Sequence, residues 1–91
     1  MGHTKAQDLK DLNKELVEIR LLKGLKEKSP GIFYHKSTGF LHFHDKDGKR
    51  WADVKVDDDW QSLAIDFDAG ISERRTFINS VKKAHKKLSG N

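Results

Sequence analysis

The sequence predicts an α+β fold, in which an N-terminal helix, a four-stranded antiparallel β-meander and a C-terminal helix follow one another (α-β-β-β-β-α). Three observations carry this. Apolar residues near the start recur at helical spacing, the middle holds four short strand-like runs divided by tight-turn sequences, and the end returns to helical periodicity.

From about residue 5, Leu9, Leu12, Leu16 and Ile19 recur at spacings of three and four and line one helix face. Val17, Leu21 and Leu25 form a second stripe on another side, and a helix with two apolar stripes has two things to touch. Gly24 is placed to end or bend this helix, and Ser29-Pro30-Gly31 is a firm stop. Four strand-like runs follow, at 32–35, 40–45, 50–56 and about 60–67, joined by KSTG, DKDG and DDD. Asp47-Gly48 suits a two-residue type I′ loop, whose central residues need positive φ, so a meander is the economical topology. The last helix is expected over 72–88, with Ser72 as N-cap and Ile71, Phe77, Ile78, Val81, Ala84 and Leu88 as its apolar stripe. The tail Ser89-Gly90-Asn91 is expected to fray. These periodicities converge on one core of Leu12, Leu16, Ile19, Leu41, Phe43, Val54, Leu63, Ile65, Phe77, Ile78 and Val81.

Ninety-one residues make one domain, 1–91. The absence of cysteine excludes disulfides, thiolate nucleophiles and thiolate metal sites. No apolar run approaches the roughly 20 residues that span a bilayer, and MGHTKAQDLKD lacks the apolar stretch of a signal peptide. A cytoplasmic protein with no membrane partner is therefore expected. The formal charge of +4 is unevenly spread. From Asp45 to Asp68 there are eight Asp against four Lys or Arg, whereas beyond Ile71 one acid, Glu73, faces Arg74, Arg75, Lys82, Lys83, Lys86 and Lys87. Such a basic helix is the footprint of a nucleic-acid partner, or simply a solvated face whose cations suit the C-terminal end of the helix dipole.

Setting Asp47-Gly48 at a hairpin tip fixes a register: His44 opposite Trp51, Phe43 opposite Ala52, His42 opposite Asp53 and Leu41 opposite Val54. Leu41, Phe43, Ala52 and Val54 then share the core face, while His42, His44, Trp51 and Asp53 share the other. Strict alternation adds Phe33, His35 and Phe40 from the first hairpin, Lys55, and Trp60 from the last strand to that second face. A solvated sheet face normally carries Thr, Lys, Glu and Ser, so four large aromatics among three histidines mark an interaction surface.

Three chemistries fit this face. His-x-His on a strand aims both imidazoles the same way, so His35, His42, His44 and Asp53 form a candidate metal set, with zinc the fitting ion; a plain His42–Asp53 cross-strand pair is the alternative. An acid–base role for His42 held by Asp53, with Lys55 as anion partner, follows common catalytic logic but lacks a nucleophile or phosphate loop. Interaction needs fewest coincidences: aromatics interleaved with His and Lys could stack bases or meet a protein partner, a homodimer being the commonest case. The sequence therefore favours a non-enzymatic binding or self-associating module without an obligatory cofactor. Metal-dependent hydrolysis or metal binding, and nucleic-acid binding through the last helix, stand as alternatives. A first helix laid across this face would be another way to cover it.

The stretch GIFYHKSTGFLHFHDKDGKRWADVKV, between a leucine-rich helix and RRTFINSVKKA, resembles a family of short uncharacterised bacterial proteins. The shared feature is an FLHFH strand followed by an Ala-Asp-Val strand. The resemblance implies an intact single domain and carries no activity with it.

Overall fold

The computed structural model describes residues 6–88; the expected fraying of Ser89-Gly90-Asn91 lies outside them. A 3₁₀ segment, Ala6–Leu12, runs into α1, Asn13–Arg20. Five strands follow: β1 Leu25–Ser29, β2 Ile32–His35, β3 Thr38–Lys46, β4 Lys49–Val56 and β5 Asp59–Ala64. Helix α2, Ile71–Leu88, closes the chain. The strands lie in sequence order, each antiparallel to the next. The α+β class and the meander are as expected, with five strands in place of four.

The extra strand comes from the stretch read as the end of the first helix. Gly24, at φ +85°, turns the chain after α1, and Leu25-Lys26-Glu27-Lys28 then alternates with period two along β2. Leu25 packs against the core from β1 and has no part in a helix stripe. The second stripe thus reduces to Val17 and Leu21, 46% and 79% exposed. The first helix begins as a 3₁₀ turn, where the three-residue spacing of Leu9 and Leu12 stacks both onto the same side.

Three hairpin tips hold non-glycine residues at positive φ: Lys36 (60°), Asp47 (54°) and the pair Asp57 and Asp58 (51° and 71°). Asp47-Gly48 has both central φ values positive, the type I′ requirement. The β3–β4 register is the one the turn dictates, from Leu41 opposite Val54 to Lys46 opposite Lys49.

Both helices pack on one face of the sheet. Phe33, Leu41, Phe43, Ala52 and Val54 meet Leu9, Leu12, Leu16 and Ile19 from the first helical segment and Phe77, Ile78, Val81 and Ala84 from α2. Phe43 lies 5.6 Å from Phe77 between ring centroids. Gly31, at φ +77°, sits so close beneath Leu9 that a Cβ there would lie 2.7 Å from Leu9 Cδ1. Of the expected core, Leu63 is only partly buried, on the edge strand, and the others are buried. Ile71 and Leu88, expected on the α2 stripe, are exposed. The helix starts one residue before the expected Ser72 cap: Gly70 N–H donates to Glu73 Oε1 at 2.8 Å, the reach-back half of a capping box.

Arg50 joins the layers. Its buried guanidinium spends all five N–H groups: Nε on the Ile65 carbonyl, Nη1 on the Asp8 carbonyl and Asp11 Oδ1, and Nη2 on Asp11 Oδ2 and the Asp66 carbonyl, at 2.7–2.9 Å. The Phe67 ring lies over it, 4.7 Å from Cζ to centroid.

Candidate metal centre on the outer face of the sheet

Neither helix covers the opposite face, so the alternative of a first helix laid across it does not hold. That face carries His42 and His44 from β3, Trp51, Asp53 and Lys55 from β4, and Trp60 and Ser62 from β5. The pairings His42–Asp53, Asp53–Ser62 and Lys55–Trp60 set them side by side.

Three of the expected residues lie elsewhere. Phe33 pairs with Leu41, which puts it on the core side, and it is fully buried. Between the Phe33–Leu41 and Tyr34–Gly39 pairs, β3 holds one extra residue, Phe40; this bulge turns Phe40 inward beside Leu41, where alternation from His42 would have turned it out. His35 alternates with Phe33 and so faces the helices, its ring 6.2 Å from that of His85 on α2. His35 is therefore no neighbour of His42 and His44. Of the four aromatics that suggested a covering second copy, Trp51 and Trp60 remain on this face, and Trp60 is 44% exposed.

What converges is a triad. His42 Nδ1 lies 2.6 Å from His44 Nε2, and the same Nε2 lies 3.2 Å from Asp53 Oδ2. One ligand atom from each residue falls within 4.8 Å of the others, and among the described residues this is the group with that geometry. The arrangement follows from strand geometry: two residues apart on one strand share a face, and the cross-strand partner of the first completes a small triangle. A proton relay would enter a histidine at one ring nitrogen and leave at the other. Here a single nitrogen of His44 lies close to both neighbours, which gathers the three donor atoms together.

The surroundings hold the triad in place. Ser62 Oγ donates to Asp53 Oδ1 at 2.7 Å, leaving Oδ2 for the histidines. Trp51 stacks on His44, with centroids 5.6 Å apart and planes at 28°, and Trp60 lies 4.6 Å from His42. Each imidazole thus has an indole wall. Ser62 was not among the expected residues, although extending the hairpin register by one strand places it opposite Asp53.

The basic candidates on α2 are partly spoken for. Arg74 bonds the Ala69 carbonyl and approaches Glu15 at 3.5 Å, Lys82 pairs with Glu18 at 2.9 Å, and Lys87 pairs with Asp57 at 3.1 Å. Arg75, Lys83 and Lys86 are exposed. Half of the stripe thus ties α2 to the rest of the domain.

Comparison with protein-family models, curated proteins and solved structures finds no match. No helix among the described residues is long and apolar enough to cross a membrane.

Proposed function

We propose that the protein is a small binding module whose sheet face takes up a divalent transition-metal ion through His42, His44 and Asp53. The observation that carries this reading is the convergence on His44 Nε2 of both His42 Nδ1 and Asp53 Oδ2. Two imidazole nitrogens and one carboxylate oxygen are borderline-to-hard donors that suit zinc. Bonds of about 2.0–2.1 Å in a tetrahedron hold ligand atoms roughly 3.3 Å apart. The Nε2–Oδ2 separation has that value, and the His42 ring has to retreat by roughly 0.7 Å to reach it. The Ser62 hydroxyl on the other carboxylate oxygen is the kind of outer contact that orients a metal ligand. Three protein ligands facing solvent leave a coordination position for water or another ligand.

Zinc titration of the whole chain, read by calorimetry and thermal unfolding, tests this. One ion per chain is expected, and zinc at about 100 times Kd should add roughly 2.7 kcal/mol of stability. His44→Ala should abolish both signals, while His35→Ala, on the other face, should keep them. Absence of binding, or binding indifferent to His44→Ala, would sink the reading.

A further inference from the structure

We infer that the outer face of the sheet, beyond the triad, is a docking surface for single-stranded nucleic acid. The inference stands apart from the metal proposal and rests on how charge and aromatic rings divide between the two faces of the meander.

Because residues 25–29 form a strand, β1 contributes to this face. Lys26 pairs with Tyr34, and Lys28 Nζ lies 5.3 Å over the Tyr34 ring. At the other side of the sheet Lys55 Nζ lies 5.2 Å over the Trp60 ring. Alternation from His44 and Trp51 brings Lys46 and Lys49 to the same side at the β3–β4 tip. Five lysines therefore stand on one face. The one strand acid that joins them, Asp53, is engaged by Ser62 and His44. The meander's other acids lie elsewhere: Glu27, Asp45 and Asp59 alternate to the helix side, Glu27 bonding Arg20, and Asp47, Asp57 and Asp58 sit in turns.

Tyr34, Trp51 and Trp60 lie among these cations. The Trp60 indole reaches across β4 onto β3, where a Cβ at Gly39 would lie in ordinary contact with it, 3.5 Å from Cη2. Trp60 is exposed and Tyr34 and Trp51 are half-buried; rings on an uncovered sheet face offer bases a stacking platform, and lysines beside them offer the phosphates counter-charge. Five strands about 4.8 Å apart make a face roughly 19 Å across, room for a few nucleotides. Charge complementarity separates this occupant from a second copy of the chain, which would bring five lysines against five.

Both tryptophans of the chain are on this face, so intrinsic fluorescence reports directly on it. The experiment titrates the whole chain with single-stranded DNA and RNA on the order of ten nucleotides long, in chelator and low salt. The chelator keeps its outcome separate from that of the metal test. The expected result is quenched emission, with affinity falling as salt rises by a log–log slope near −2, about −0.7 for each of three phosphate contacts. The double variant Lys26→Glu/Lys28→Glu and the single variant Trp60→Ala should each weaken binding roughly tenfold or more, with circular dichroism unchanged. Four results would each overturn the inference: no quenching at low salt, equal binding of duplex or of inorganic polyphosphate, loss of binding on Lys83→Glu/Lys86→Glu in place of the sheet variants, or a concentration-dependent dimer that shields the tryptophans without nucleic acid.

Discussion

Arg50 is the side chain on which most of the architecture meets. It sits near the start of β4, beside the hairpin tip, yet its bonds reach the N-terminal 3₁₀ segment and the loop before α2, residues far apart in sequence. A buried cation is costly unless every donor is answered, and here every donor is. Removing the guanidinium leaves the Asp11 carboxylate and three backbone carbonyls without their partner. Arg50→Ala should therefore lose about 3–5 kcal/mol, a large part of what a domain of this size possesses, as read from urea unfolding. Arg50→Lys should recover only part, because an ammonium cannot supply the planar fork that Asp11 accepts from both terminal nitrogens. Nothing in the sequence marks Arg50 apart from the lysines around it. Its alternation with Ala52 and Val54 put it on the core side, but its partners come from folding.

Among the elements, the hairpins show what local chemistry controls. Asp47-Gly48 carries its register in two residues, and the strands obey it. The β4–β5 tip is less well suited: Asp57 and Asp58 both hold positive φ, the second without the glycine that would relieve it. Asp58→Gly should raise stability by up to about 1 kcal/mol, visible as a higher Tm with the fold unchanged. A lower Tm would show that the Asp58 side chain is itself holding the turn. The Phe40 bulge is the opposite case. The FLHFH segment reads as clean alternation, and one extra residue before Leu41 brings both Phe40 and Leu41 inside. A bulge lets the sheet bury adjacent apolar residues that alternation would split, and burying Phe40 is worth roughly 1.5–3 kcal/mol. Periodicity alone could not find it, because the compensation lies in the partner strand.

For the whole molecule, carboxylates tie the helical layer and the edge strand together, and their ionisation makes stability depend on pH. The bidentate bond from Arg50 holds Asp11 below its ordinary value of 3.8. Burial pushes Glu27 up, but the Arg20 guanidinium and the Gly31 N–H outweigh it and leave it below its ordinary 4.5. The Lys82 ammonium likewise lowers Glu18. A depressed folded-state pKa means that the unfolded chain binds protons first. These groups therefore contribute fully above their ordinary values, and the contribution is lost as pH falls through the folded ones. Stability should decline as pH drops below about 4.5, and Asp11→Asn should be less stable at neutral pH with a shallower acid slope, as followed by urea midpoints.

The sequence by itself determined the helix–meander–helix order, the β3–β4 register and the shared face of His42, His44 and Asp53. Each of these depends on residues close in the chain: turn chemistry, period-two alternation and helical spacing. The tertiary structure alone decided that Leu25–Ser29 is a strand, since its apolar spacing fits helix and strand equally until β2 offers hydrogen bonds. It also decided that His35 turns toward α2, and that Phe33 and Phe40 leave the outer face. The same pairing brought Lys26, Lys28 and Tyr34 onto that face. The physical reason is common to all of these. A strand's faces are assigned by its neighbour's register, and an edge strand or a bulge exists only once there is a neighbour to pair with.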